Sequence, residues 1–256
     1  MINVKSAREI ELMRVAGEVV AKVFQALRPM LKSGVTTEDL DLKAEAVIRA
    51  NGCTPTFKGY GGFPGAICIS LNDTLIHGIP SHKIVLHEGD IVSLDVGATY
   101  QGYCADACRT YPVGVTTERA MNLVKITEES FFEAMKVVKE GAKLCDISEA
   151  IQKYNESRGY SLPVEYTGHG VGKALHEDPS IPNVGKSGTG PTLLAGMTLA
   201  IEPMVAEGKP NVRTLGDGWT VKMKDGKLSS HYENTIVVTK DGYEILTTLK
   251  ENLLNV

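Results

Sequence analysis

Apolar residues recur with two periods along this chain, and the switches between them mark out its elements. Ser6-Ala7-Arg8-Glu9 is a capping-box sequence, in which a serine and a glutamate three residues later satisfy free backbone donors. From there positions 10, 13, 17, 20, 24 and 27 keep one stripe of a helix that Pro29 ends. Gly34 and Thr36-Thr37 introduce a second helix through Val47-Ile48, stopped at Asn51-Gly52. A glycine-rich loop (Gly59, Gly61, Gly62, Gly65) follows, then a strand over 66–70, the string His77-Gly-Ile-Pro and a turn at Glu88-Gly89-Asp90.

The period then falls to two. Ile91 opens a β-branched, apolar run enclosing a single acid, Asp95, and a second run after Gln101-Gly102 carries Asp106. This pattern predicts a hairpin with a two-residue turn. Pairing Tyr100 with Tyr103 sets Asp95 opposite Cys108 and Asp106 opposite Gly97, so residues 95, 97, 106 and 108 share one face. The two aspartates become diagonal neighbours with Cα atoms roughly 7–8 Å apart. Two carboxylates converging on an apolar sheet face are unfavourable unless a cation lies between them, and the pattern therefore names a metal.

The second half repeats the plan: a helix over 117–139, a shorter one over 146–158, a strand over 161–166, His169-Gly-Val-Gly, and a run from Met197 to Glu202. Gly89 precedes Asp95 by six residues, as Gly196 precedes Glu202, and the two units lie 107 residues apart (Gly89 to Gly196). An internal duplication is the expectation: two α-α-β-hairpin halves, about 1–115 and 116–256, facing each other across a pseudo-twofold with acids from both at the seam. No linker composition separates the halves, so 1–256 is expected to be a single domain. The fold class expected is α+β, with an antiparallel sheet core covered by helices.

Composition narrows the function. The 43% hydrophobic and 23% charged content is that of an ordinary soluble globular protein. A net charge of −4 offers no broad positive field, which argues against stable nucleic-acid binding. The absence of an 18-residue apolar run or a signal-like start argues against a membrane span or secretion. Five cysteines, an odd number without CxxC spacing, suit a reduced, cytoplasmic protein. Cys104 and Cys108 flank Asp106 and are expected to pack rather than ligate.

The second half adds His169, His176, Glu202 and Glu233. His169 and His176 fall in a loop rich in Gly and Pro, with spacing unlike that of a helical HExxH zinc site. His82, His87 and His231 are expected to be ordinary hydrogen-bonded loop residues rather than ligands. Carboxylates with one imidazole suit hard or borderline divalent ions, and four carboxylates balance the charge of two such ions.

Asp95, Asp106, His169, Glu202 and Glu233, with His77 and His176, resemble the site of the methionine aminopeptidases. The surrounding strings CISLNDTLIHGIP, GDIVSLDVGATYQGYCAD, TGHGVG, LHEDPSIPN, LAIEPM and DGWTVKMKDGKLSSHYENTI are similar to that family from about residue 5 to 240, and favour its short, bacterial-like type I. The resemblance implies the duplicated "pita-bread" fold and two divalent ions (Co, Mn, Fe, Zn or Ni). Asp95 would chelate the first ion, His169 and Glu202 would ligate the second, and Asp106 and Glu233 would bridge both. It further implies that a hydroxide held between the ions attacks the first peptide carbonyl, with Glu202 shuttling the proton. His77 and His176 would contact substrate, His176 stabilising the oxyanion. Tyr60, Phe63, Cys68 and Trp219 match the family's methionine pocket. The implied partner is the N-terminal Met of nascent polypeptides with a small uncharged second residue, met in passing contact with the ribosome by a monomeric protein. Two other readings share parts of this pattern: a proline-directed aminopeptidase on the same fold, and a non-catalytic binding protein, which retention of all five ligands disfavours.

Overall fold

Tyr100 and Tyr103 pair across a two-residue turn, and the register runs as expected: Asp95 opposite Cys108 and Gly97 opposite Asp106. Gln101 and Gly102 supply the two positive φ values such a turn needs (47° and 81°). A computed structural model describes residues 2–249 of the 256-residue chain. Its helices are α1 (Ala7–Leu27), α2 (Thr37–Ala50), α3 (Glu118–Met135) and α4 (Leu144–Glu156). The strands of the first half are β1 (Thr54–Pro55), β2 (Cys68–Leu71), β3 (Thr74–Ile76), β4 (Ile91–Tyr100) and β5 (Tyr103–Pro112). Those of the second are β6 (Thr167–Gly170), β7 (Glu177–Pro182), β8 (Thr198–Ile201), β9 (Met204–Ala206), β10 (Val212–Thr214), β11 (Val221–Met223), β12 (Ser229–His231), β13 (Asn234–Val238) and β14 (Tyr243–Ile245).

Each half has one main antiparallel sheet. In the first, β4 is central, flanked by β1, β2 and β5; in the second the order is β14-β13-β8-β6-β7. The capping box at Ser6 forms, with the Glu9 carboxylate accepting from the Ser6 N–H at 2.8 Å. Each helix pair buries its stripe on its own sheet. Val20, Leu27, Leu40 and Ile48 meet Val92 and Leu94, while Phe131, Met135, Ile147 and Ile151 meet Leu199 and Ile236.

The duplication shows at single hydrogen bonds. Gly34 N–H donates to Leu86 O (2.9 Å) and Leu86 N–H to Val35 O (2.8 Å); Gly141 N–H donates to Leu193 O (2.9 Å) and Leu193 N–H to Ala142 O (2.8 Å). Gly89 N–H donates to Val113 O (2.9 Å) and Gly196 N–H to Val238 O (2.8 Å). All four glycines have φ between 87° and 94°, a region costly for any residue with a Cβ. The same offset of 107 residues, Gly34 to Gly141 and Gly89 to Gly196, relates both pairs.

Some expectations need correcting. The strand expected over 66–70 occupies Cys68–Leu71. The strand expected over 161–166 is absent: Ser161 makes only an isolated bridge to Ala206, and Pro163 has no N–H to offer a ladder. The strand forms instead at β6, so His169 stands on a strand rather than in a loop. Helix α3 stops at Met135, short of residue 139, because the N–H groups of Lys136, Val137 and Val138 close tighter turns onto Glu133, Ala134 and Met135. Helix α4 begins two residues earlier and ends two earlier than expected. No helix of the described residues is long and apolar enough to cross a membrane.

Candidate metal centre

The two halves join where their acids meet. Cys108 and Glu233 exchange both backbone hydrogen bonds (3.3 and 3.0 Å), stitching β5 to the residue before β13. Around this junction two threonines act as mirror images. The Thr235 hydroxyl accepts the Asp106 N–H (3.0 Å) and lies 2.9 Å from the Asp106 carbonyl oxygen. The Thr110 hydroxyl accepts the His231 N–H (3.1 Å) and donates to the His231 carbonyl oxygen (2.8 Å). The Arg109 guanidinium lies over the Tyr232 ring (4.2 Å) and donates to the Cys108 and Glu233 carbonyls, clamping the seam from behind. Glu202 follows β8 and precedes Pro203, with its carbonyl held by Asn183 Nδ2 at 2.9 Å.

This scaffold gathers Asp106, His169 and Glu233 into one group of donors, and Glu202, His231 and Glu233 into another, each with ligand atoms within 4.8 Å of one another. Glu233 belongs to both. His169 Nε2 lies 3.7 Å from Asp106 Oδ2 and 3.5 Å from Glu202 Oε1. Asp95 lies outside these tight groups but lines the same cavity. His231 corrects an expectation: rather than an ordinary hydrogen-bonded loop residue, it ends β12 and is 2% exposed, with Nε2 3.5 Å from Glu202 Oε2 and 3.8 Å from Glu233 Oε2. The signal was present in the sequence, since His231 and Glu233 are two apart on extended chain and so share a face. His82 and His87 are exposed and belong to neither donor group. Cys104 and Cys108 are buried in packing, also as expected.

Burial sets the electrostatics. It pushes the carboxyls of Asp95, Glu202 and Glu233 well above the usual range, each raised further by its acidic neighbours, and lifts Asp106 to about 6. Burial drives His231 down to about 3 and lowers His169, so both rings are neutral near pH 7. His169 Nδ1 lies 2.9 Å from the Gly170 carbonyl oxygen, which can only accept, so the single ring proton is on Nδ1. Nε2 is then a lone pair facing two carboxylates. His231 Nε2 is likewise buried with no hydrogen-bond partner. Acceptors turned on acceptors fit a bound cation, and this donor set of carboxylates and imidazole fits divalent ions.

Above the acids opens a cavity of about 100 Å³. His77, His176, Tyr60, Phe63, Cys68 and Trp219, all singled out from the sequence, line it. Phe57 and Leu175 complete its apolar wall, packed with Phe63 and Cys68. His77 is held at φ 58°, a left-handed conformation uncommon outside glycine, and its ring lies 6.0 Å from those of both Tyr166 and Trp219. The chain beside it passes so close to the Ile69 carbonyl that a Cβ on Gly78 would collide with it. Burial lowers His77 to about 4, and burial with the nearby His169 lowers His176. The glycine-rich segment 59–65 forms a short turn and does not open onto an α-helix.

A carboxylate-lined seam between two duplicated half-sheets, fitted for divalent ions, defines a metallohydrolase with the pita-bread fold. Comparison with known proteins agrees. The profile of metallopeptidase family M24 matches residues 11–240. The methionine aminopeptidase of Clostridium acetobutylicum is 51% identical over 247 residues, covering 96% of this chain and 99% of its own length. Methionine aminopeptidase 1 of Bacillus subtilis is 48% identical, with the same coverage. The crystal structure of methionine aminopeptidase from Thermotoga maritima matches with a TM-score of 0.96 at 47% identity, covering 97% of this chain and all of that one. Prolidase from Pyrococcus furiosus shares the fold more distantly (TM-score 0.79, 25% identity, 96% of this chain and 66% of that one). The chain belongs to metallopeptidase family M24 and, within it, to the methionine aminopeptidases.

Proposed function

We propose that this chain removes the N-terminal methionine from nascent proteins and peptides, preferring a small uncharged second residue. Two divalent ions would be held by Asp95 at one position, His169 and Glu202 at the other, and Asp106 and Glu233 between them. The observation that carries the reading is the His169 Nε2 lone pair turned on Asp106 and Glu202 at the floor of an apolar slot. The place of Glu233 in both donor groups supports its bridging position. Both halves act as one catalytic unit, because Asp95 and Asp106 come from one half and His169, Glu202 and Glu233 from the other.

When bound, the ions supply a water activated near neutral pH and Lewis-acid polarisation of the scissile carbonyl. The residues of the chain do the rest. Tyr60, Phe57, Phe63, Cys68, Leu175 and Trp219 take the thioether side chain. Glu202 accepts a proton from the attacking water and returns it to the leaving amine. His176 Nε2 donates to the carbonyl oxygen as negative charge develops, and such a donor is worth about 3 kcal/mol. His77, which lines the same cavity, contacts the substrate. The protein acts as a monomer.

Purified protein loaded with Mn or Co and given Met-Ala-Ser and Leu-Ala-Ser in parallel tests this reading. Free methionine should be released far faster than leucine. Equal release of both, or of neither, overturns the assignment.

A further inference from the structure

Two neighbouring imidazoles in the cleft, His169 and His176, have ring centroids 4.3 Å apart but meet opposite kinds of partner at Nδ1. His169 Nδ1 faces the Gly170 carbonyl, a pure acceptor. His176 Nδ1 lies 2.7 Å from the phenolic oxygen of Tyr60, a group able to donate. Tyr60 is 45% exposed, yet its hydroxyl meets the His176 ring. What aims it is the glycine-rich turn. Gly59, Gly61 and Gly62 adopt φ of 85°, 55° and 90° on either side of this tyrosine. The turn is closed by Gly59 N–H to Phe63 O (2.8 Å) and Phe63 N–H to Tyr60 O (3.0 Å). It rests on Trp219, whose ring would meet a Cβ on Gly61 at 3.2 Å.

A neutral imidazole carries one N–H, and the partner at one nitrogen decides which nitrogen keeps it. We propose that Tyr60 is a positioning residue whose O–H donates to His176 Nδ1 and so holds His176 as the Nε2–H tautomer. The inference rests on the reading of His176 as the donor to the developing oxyanion. With the reverse arrangement, Nε2 would present a lone pair to that negative oxygen and repel it. Adjacent rings are thus set for opposite tasks: His169 offers a lone pair to a cation, and His176 offers a proton to an anion. The difference is made at the Nδ1 side of each ring, by a carbonyl in one case and a phenol in the other.

The test uses Tyr60→Phe, which keeps the ring packing and removes only the donor. In Zn-loaded protein labelled with 15N-histidine, His176 should show a protonated Nε2 and an unprotonated, hydrogen-bonded Nδ1. In Tyr60→Phe the His176 signals should move towards a tautomer mixture while those of His169 stay put. Turnover of Met-Ala-Ser should fall about 10- to 100-fold in kcat, with KM and bound metal unchanged. A protonated Nδ1 on His176 in the parent protein, or an unaltered kcat in Tyr60→Phe, overturns the proposal. His176→Ala separates the two layers: full turnover in that variant would refute the oxyanion role itself, whereas the 15N spectrum reports the Tyr60 contact independently of turnover.

Discussion

The two carboxylate oxygens of Glu202 each face a different imidazole: Oε1 stands 3.5 Å from His169 Nε2, and Oε2 stands 3.5 Å from His231 Nε2. The second histidine is neutral, buried and anchored through both its backbone groups by Thr110. It therefore stands beside Glu202 as a neutral member of the second donor group.

Removing that imidazole should be costly although His231 is not among the five expected ligands. His231→Ala is expected to lose about 10- to 100-fold in metal affinity or turnover, the usual effect of removing a group packed against a ligand set. Calorimetric titration of chelator-treated protein with Mn, beside a peptidase assay, measures both. His82→Ala, altering an exposed side chain that does not line the cleft, should match the parent in each.

The buried acids make metal-free protein sensitive to pH. Asp106 has a folded-state pKa of about 6, above its unfolded value near 4, so the folded form favours the proton. Its burial therefore costs nothing at low pH and progressively destabilises the fold as pH rises through that interval; Asp95, Glu202 and Glu233, raised further, extend the loss upward. Divalent ions compete with those protons and remove the penalty. The gap in Tm between metal-loaded and chelator-treated protein should widen as pH is raised from about 5 to about 8. A gap that stays constant or shrinks over that range contradicts a cation-balanced cluster.

Charge-removing isosteres test the ligands individually. Asp106→Asn and Glu202→Gln are each expected to abolish turnover while leaving the fold intact, since an amide at position 106 leaves the backbone bonds to Thr235 in place. Elemental analysis of the variants beside a peptidase assay gives the readout. Retained activity in Asp106→Asn would contradict a bridging role. His176→Ala should damage turnover more than metal content.

Phe57 and Gly97 are coupled through space. A Cβ on Gly97 would come 2.6 Å from the Phe57 ring, so the aromatic wall of the slot exists because residue 97 has no side chain. Gly97→Ala should destabilise the protein by about 1–3 kcal/mol, the cost of overpacking. In the Phe57→Ala background the same change should cost far less, giving a non-additive double-mutant cycle in chemical denaturation. Additive effects would show that the ring and residue 97 do not compete for the same space.

Much of the site was legible because its first elements are local. The register of β4 against β5 follows from a two-residue turn, so the relation of Asp95 to Asp106 could be read from spacing alone. The repeat of Gly89-to-Asp95 at Gly196-to-Glu202 announced the duplication, since a positive-φ glycine at each strand entry leaves the same mark twice. His231 was legible only as a residue two positions from Glu233 at the end of β12; that it stands beside Glu202 is known only once the chain is folded. The tautomers of His169 and His176 depend on a carbonyl and a phenol whose positions no periodicity reports.

The amino-acid sequence alone determined the elements, their order, the hairpin register and the residue types that call for divalent ions. These follow from constraints acting within a turn, a helix or a pair of adjacent strands. Folding decided which donors share an ion-sized space, with Glu233 at the centre and Asp95 at the edge, and it brought His231 in beside Glu202. The junction itself joins residues more than a hundred positions apart, Cys108 to Glu233 and Asp106 to Thr235. Such relations arise only when the two halves close on each other and exclude water from the acids between them.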